Sequence, residues 1–486
     1  MLKILERFKA AAPKQKVVSL RSPEKRSFAG AELDRLTAAF KGTTLSANEE
    51  LVRALPTLRA RSRQLANDND YGRRFLQMVK ANVVGPNGIA LQARPRRTDG
   101  TIDRPDANTI EKAWAEWGKS ANCSMNGRLG WRETQRLVME TVARDGECLV
   151  QMVKTDRSKY GMALHVIEAD YLDETLNQAK SNNQPAIKMG IEVDGYDRPV
   201  AYYLRTSHPG DGKVQFNGKP YIRVVAEEII HLYITERPGQ SRGLPWMHTA
   251  IRRLNMLGGY EEAELVAART AASKMGFFTS PDGDGMPGDD VDAYGSLISE
   301  AEPGVFEQLP AGVDFQSFDP THPTSAFPEF VRATLRGAAA GLGVSYHTLS
   351  NDLENVNYSS IRSGVLEERE QWKVLQSWLS EQFCEPVYNA WLKMALDFQK
   401  IRLPKKQIEK FREVVWMPRG FAWVDPLKDA QANAQAIEMG VLTRAEVAAA
   451  TGRDLDEILE QLATEKARLD ELGLTAAKKE QSNNDE

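Results

Sequence analysis

Two helix-forming tracts, one from about Pro245 to Lys274 and one from about Ser325 to Leu342, enclose a stretch that cannot be helical. The first places Ile251, Leu254, Leu257, Ala263, Ala267 and Ala271 at helical steps. Pro245 stands where a first turn tolerates it, and Gly258 and Gly259 are expected to bend the helix. The stretch between holds the acidic, turn-rich "SPDGDGMPGDDVDAYGS" and two runs, "GVFEQLP" and "VDFQSF", that read as strands. The order is therefore helix, small β-containing excursion, helix. In a chain of 486 residues it excludes one small domain.

The text before this unit is mixed. "ANEELVRALPTLRARSRQLANDNDYGRRFLQMVK", "TIEKAWAEWGKS" and "RETQRLVMETVARDG" predict helices. "ECLVQMVK", "MALHVIEAD", "IKMGIEVD", "RPVAYYLRT" and "IIHLYITE" predict short strands of a mixed or antiparallel sheet. The fold class is α+β. After Val365, the spacing of Trp372, Leu375, Leu379, Phe383, Val387 and Trp391 predicts a long helix with a kink at Pro386. From Asp425 onward the chain is nearly all helix former, and it closes on a polar tail.

Charge is unevenly spread. The first hundred residues hold 20 Lys and Arg against 9 Asp and Glu in a chain of net charge -4, which points to a polyanionic or acidic partner, or to a solvated basic face. The opening "MLKILERFKAAAPKQK" reads as a peripheral amphipathic helix rather than a signal peptide, and no apolar run is long enough to span a membrane. Cys123, Cys148 and Cys384 lie far apart, so neither a disulfide framework nor a zinc site is expected.

One segment fits no element. "YHTLSNDLENVNYSSIRSG", residues 346 to 364, is polar, with Leu349, Leu353, Val356 and Tyr358 as its few anchors, and it separates two helix-forming tracts. Catalytic readings of it and of other motifs fail on chemistry. His347, Asp352 and Ser359 supply the residue types of a hydrolase triad, but "GVSYH" has His347 where a nucleophile elbow needs Gly. "GKS" at Gly118–Ser120 has Ala113 where a phosphate-binding loop needs its first Gly. "DGDG" at Asp282–Gly285 has Met286 where a calcium loop needs Asp or Asn. The six histidines never reach metal-helix spacing, and His165 and His231 lie in strand-like text as core or sheet residues. Trp114 and Trp117 share a helix face, which favours packing over base stacking. An enzyme remains conceivable only through Asp282, Asp284, Asp289 and Asp290, as holders of Mg²⁺ in a nuclease.

Several ordered blocks together resemble the lambda-like branch of the portal proteins of tailed bacteriophages. They are "RARSRQLANDNDYGRRFLQMVKANVVGPNGI", "IEKAWAEWGKSANC" with "ARDGECLV", "IEADYLDE", "GIEVDGYDRPVAYYL", "IIHLYITERPGQSRGLP", "GVSYHTLSNDLENVNYSSIRSGVLEE" and "WVDPLKDAQANAQAIEMGVLTRAEVAAATGRDL". The resemblance implies no enzyme and no cofactor. It implies a ring, typically dodecameric, at one vertex of the phage head, with a channel for double-stranded DNA during packaging and ejection. The implied partners are terminase, major capsid and scaffold proteins and a head–tail adaptor, with no membrane. Another head–tail connector protein is the rival reading, but such chains are generally shorter.

The implied map is a basic arm (1–46), an α+β wing (47–243), stem helices (244–275 and 323–345) around a clip (276–322), a tunnel loop (346–362), a long helix with a wing return (363–424), a helical crown (425–475) and a disordered tail (476–486). Asn351, Glu354, Asn355, Asn357, Ser359 and Ser360 would line the DNA channel. Asp282, Asp284, Asp289 and Asp290 would dock partners on the clip. A channel loop must not grip phosphates, so Asn and Ser suit it, and Arg362, its one cation, is expected to face the protein.

Overall fold

In the computed structural model the described residues are 35, 42, 44–181, 184–211, 219–272, 276–279, 290–291, 297–298, 314–317, 326–354, 357–422 and 425–474. The chain divides into Met1–Ser46 and Ala47–Glu486, and all the described helices and strands belong to the second unit. The expected amphipathic helix at the N-terminus and the polar tail lie outside the described residues.

Three helices, Ala47–Asp68, Asp70–Val79 and Trp131–Asp145, pack beside a three-stranded antiparallel sheet in which Glu147–Lys154 is central between Met162–Ile167 and Ile229–Tyr233. Register puts Leu149 opposite both Ile167 and His231. A second sheet is a meander of Ala186–Lys188, Ile191–Val193, Pro199–Arg205 and Tyr221–Val225. The last of these was not expected. In "YIRVV" only Val224 is buried while Ile222 and Val225 are exposed, so the run lacks the pattern of a half-buried strand. Ala90–Ala93 pairs with Val414–Met417 and draws the C-terminal half back onto the N-terminal half.

An aromatic core holds these parts together. Trp114 stacks on Trp117 with ring centroids 4.7 Å apart, and Trp131, Tyr388, Trp391 and Trp416 close around Trp114 edge-on. Trp117 donates its indole N–H to the Met162 carbonyl at 2.9 Å. Both tryptophans are buried, so they are packing residues and not a stacking platform for bases.

The helix, excursion, helix order is present. Helix Ile251–Ala272 is followed by the paired strands Gly276–Thr279 and Asp314–Ser317 and by Asp290–Val291 paired with Leu297–Ile298, and the chain returns in helix Phe327–Leu342. The two helices lie against each other. Tyr260 meets Phe330 at 4.9 Å, and Thr249 donates to the Gly341 carbonyl at 2.8 Å. The first helix begins at Ile251 rather than near Pro245, because the preceding residues are held elsewhere: the Trp246 N–H donates to Ala143 of another helix at 3.0 Å, and His248 turns back to Pro245. The strand read in "GVFEQLP" lies outside the described residues.

The long helix starts at Tyr358, earlier than expected, and runs to Leu379. A π-helical turn over Ser380–Cys384 leads into Glu385–Asp397. Pro386 therefore stands in the first turn after a widened one, where its missing N–H costs least. Beyond it, Pro426–Glu438, Arg444–Ala450 and Leu455–Glu471 are helical, as expected. This end is tied to the main body by Arg104 with Asp456 and by close approach of Gly420 to the main chain of Thr451 and Gly452.

Candidate functional site

The polar segment after Phe327–Leu342 is more structured than its composition suggests. Gly343 ends that helix in the left-handed region (φ 68°), and Ser345 opens a short helix, Tyr346–Ser350, by accepting from the Thr348 N–H. Asn351 closes it, again left-handed at φ 57°, a conformation that Asn tolerates better than most residues. The expected loop of 346–362 is thus reduced to a short connector after Ser350, and Ser359 and Ser360 belong to the first turn of the long helix. Two capping signals, Ser345 and Asn351, explain the difference.

The connector is anchored through one carboxylate. Asp352 accepts from the Tyr346 hydroxyl at 2.6 Å and from the Glu354 N–H at 3.0 Å, with Arg332 at 3.6 Å. The Tyr346 hydrogen bond, then the Glu354 amide and Arg332, hold its pKa below the ordinary carboxylate value, so it stays anionic. Below the short helix, Glu368 accepts from the Thr348 hydroxyl at 2.7 Å and from the Trp372 indole at 3.1 Å. Asn351, Leu353, Glu354 and Asn357 are exposed. Among the described residues from 351 to 357 there is no cation. Arg362 reaches Asp429 at 3.3 Å and so faces the protein, as expected.

Among the described residues no triad forms here. His347 Nδ1 lies 2.9 Å from the main-chain oxygen of Asp352 rather than its carboxylate, and the Ser359 hydroxyl is outside what the structure describes. Gly118–Ser120 is the end of helix Arg104–Trp117 and the start of a short helix, not a strand-to-helix phosphate loop. Asn355, Asp282, Asp284 and Asp289 lie outside the described residues; Asp290 begins a strand opposite Ile298. The three thiols are buried and free, and burial pushes Cys123 up to about 12.

Sequence reasoning missed a buried charge cluster. Glu147 is fully buried and accepts from Arg242 Nε at 2.8 Å, Arg59 Nη2 at 3.0 Å, His231 Nε2 at 3.0 Å and the Gly243 N–H at 3.1 Å. Arg242 spends its remaining donors on the carbonyls of Leu172 (3.0 Å), Met189 (3.2 Å) and Ala169 (3.2 Å). Burial alone would raise the Glu147 pKa, yet the guanidinium of Arg242 and the His231 hydrogen bond outweigh it and hold the carboxyl well below its usual range. Arg59 and Arg63 continue the network to Asp170 and Asp145. The available signal was a glycine beside each partner, in "DGE" and "RGLP": Gly146 and Gly243 bring their main chains so close that a Cβ on either would strike the other's segment. His231 is thus the sheet residue expected, whereas His165, also on a strand, is exposed.

Glu168, Asp170 and His208 come together with the composition of a metal site. Their hydrogen bonds argue against one. Both Asp170 oxygens are taken by Arg59 and Arg63, and His208 Nδ1 accepts from the Gly210 N–H at 3.0 Å, which leaves the ring proton on Nε2, 3.2 Å from Glu168. No helix among the described residues is long and apolar enough to cross a membrane.

Comparison with known proteins agrees with this picture of a structural chain. The family described as phage portal protein, lambda family, matches residues 33–376. A probable portal protein of Halomonas phage phiHAP-1 is 34% identical over 457 residues, covering 92% of this chain and 88% of that one. Portal protein B of Escherichia phage lambda is 22% identical and the portal protein of Escherichia phage N15 is 24% identical, each covering 83% of this chain and 82% of its own length. Among solved structures, a chain from the neck of an empty GTA particle aligns over 84% of this chain and 94% of its own at 14% identity, with a TM-score of 0.42. The chain belongs to the lambda family of phage portal proteins, non-enzymatic structural components of the virion that stand at a vertex of the capsid.

Proposed function

We propose that the chain works as a closed, dodecameric ring whose channel carries double-stranded DNA into and out of the head, with residues 351–357 facing the channel and the excursion at 276–322 docking terminase and the head–tail adaptor. One observation carries the ring. Helices Pro426–Glu438 and Leu455–Glu471 have no buried residue, yet they expose Leu427, Leu459, Leu462 and Leu469. Apolar helix faces that their own chain leaves in water are stabilised when copies cover one another. A single head-to-tail contact repeated with the right rotation closes into a ring.

The channel reading draws support from the absence of cations among the described residues of the connector. A duplex sliding past must not be held by released counterions at each step. The stem, clip and crown names then follow the chain order: stem helices Ile251–Ala272 and Phe327–Leu342, clip between them, crown at Pro426–Glu471. Light scattering of the purified full chain at moderate salt is expected to give a particle about twelve times the 54.2 kDa subunit mass. A monomer persisting at high concentration sinks the ring.

A further inference from the structure

Two surfaces of this chain complement each other and cannot meet within one subunit. The first is a groove of about 560 Å³ between helices Ala47–Asp68 and Ile251–Ala272, lined by Arg61, Gln64, Arg252, Met256, Gly258 and Gly259, with Asp68 also at its wall. Met256 is 63% exposed. Among the described residues, Arg61 and Arg252 have no hydrogen-bond or ion-pair partner. Glycine is the least favourable residue but proline inside a helix, and a Cβ added at Gly259 would meet nothing within 4 Å. Nothing in the subunit needs that residue to be small.

The second surface is a ridge on helix Tyr358–Leu379. Leu366, Glu370 and Val374 follow one another at steps of four on its outer face, Val374 being 69% exposed, with Glu367 beside them and Glu381 in the π-helical turn that follows the helix. The ridge carries one cation, Lys373, which pairs with Glu370 at 2.6 Å on the surface. It is an apolar line with an acidic crest. The groove is an apolar floor between two unpaired guanidinium groups.

The segment from Asp70 to Val84 keeps the two apart. Near its start the Tyr71 hydroxyl donates to Glu261 on the groove helix at 3.0 Å, and near its end the Asn82 carbonyl accepts from Gln376 on the ridge helix at 2.8 Å, roughly 16 Å further along at 1.5 Å per residue. We propose that the acidic ridge of one subunit seats in the basic, glycine-floored groove of the next, as a head-to-tail contact between copies of this chain. Opposite charges set its register, and Met256 with Leu366 and Val374 supplies the desolvated centre. The proposal rests on the ring reading and names the faces that build the ring.

Two charge-reversed chains test it: a groove variant with Arg61→Glu and Arg252→Glu, and a ridge variant with Glu367→Arg and Glu370→Arg. All four positions are solvent-exposed, so each variant folds as a subunit. Each alone is expected to need at least about tenfold more protein than wild type to form rings, by light scattering. An equimolar mixture is expected to recover rings, because a reversed ridge fits a reversed groove and alternate subunits satisfy every contact. Gly259→Leu fills the groove and is expected to abolish rings while leaving the subunit's melting temperature unchanged or raised. If wild type forms rings and the reversed variants do so at the same concentration, or if the mixture fails to recover what each variant lost, the pairing is wrong. If wild type itself forms no ring, the ring reading falls and this inference with it. Loss of DNA binding by the groove variant with rings intact would assign the groove to nucleic acid instead.

Discussion

The guanidinium of Arg242 and the carboxylate of Glu147, 95 residues apart in the chain, lie side by side in the interior with Arg242 Nε 2.8 Å and 2.9 Å from the two oxygens. Neither has any exposed surface. Such a pair contributes little net energy relative to a well-packed apolar replacement, but removing one member strands the other's charge. Glu147→Leu is expected to destabilise the fold by about 3–5 kcal/mol, and Glu147→Leu with Arg242→Leu by clearly less than the two single losses combined. Urea unfolding at fixed protein concentration measures both. Additive losses would say the pair is not coupled.

Acid should act through the same cluster. The Glu147 carboxyl is held below its ordinary 4.5 in the folded chain, burial being outweighed by Arg242 and His231. Its contribution is therefore complete above pH 4.5 and is withdrawn as pH falls below that value, since the unfolded chain takes up the proton first. His231 moves the same way for a different reason: burial lowers it below 6.5, against the pull of Glu147, so the unfolded chain gains a proton from about pH 6.5 downward while the folded chain resists. Stability is expected to decline from pH 6.5 and more steeply below 4.5. Replacing His231→Gln should flatten the first part of the profile and keep the second, since Gln can still donate to Glu147 and Arg242 remains, as read from denaturation midpoints between about pH 8 and about pH 3.

Close main-chain approach beside the pair gives a prediction with no change of charge. A Cβ at Gly243 would lie 2.6 Å from the Tyr233 Cβ and collide with the Gly146 carbonyl, and Gly146 itself is left-handed at φ 91°. Gly243→Ala is expected to cost about 2–4 kcal/mol although it adds one methyl group, because the donor geometry at Glu147 shifts with the main chain. Gly259→Ala, in open space, should cost nothing or stabilise the helix. A comparison of the two melting temperatures separates crowding from propensity.

The contrast between these glycines shows where the sequence was readable. Helices Trp131–Asp145 and Phe327–Leu342 and the central strand Glu147–Lys154 carry their own periodicity and lie where that periodicity put them. Pairing of Ala90–Ala93 with Val414–Met417 does not, because four-residue strands hold too little pattern to name a partner more than 300 residues away. The Arg59–Glu147–Arg242 cluster was hidden for a related reason: single charged residues at three distant positions look like solvated surface until the fold removes their water. In the candidate loop the composition was read correctly and the length was not. Ser345 just before it and Asn351 within it are helix caps, and a cap resembles a loop residue when it is met without its helix.

The last prediction concerns that connector. Asn351 is spared, since its left-handed conformation would be strained by lysine and a failure there would report on folding. Asn355→Lys with Asn357→Lys should leave rings and prohead assembly intact, because the change does not disturb the Asp352–Tyr346 anchor or the Glu368 bonds beneath the short helix. Each ring would then carry added cations where the described connector has none. Every lysine near the duplex adds a phosphate contact with counterion release, so DNA passage is expected to slow or stall at low salt and to recover as ionic strength rises within the range the packaging motor tolerates. Packaging rates at two salt concentrations decide the matter. Rings that fail to form would make the connector a subunit contact, and wild-type rates at low salt would mean that it never meets DNA.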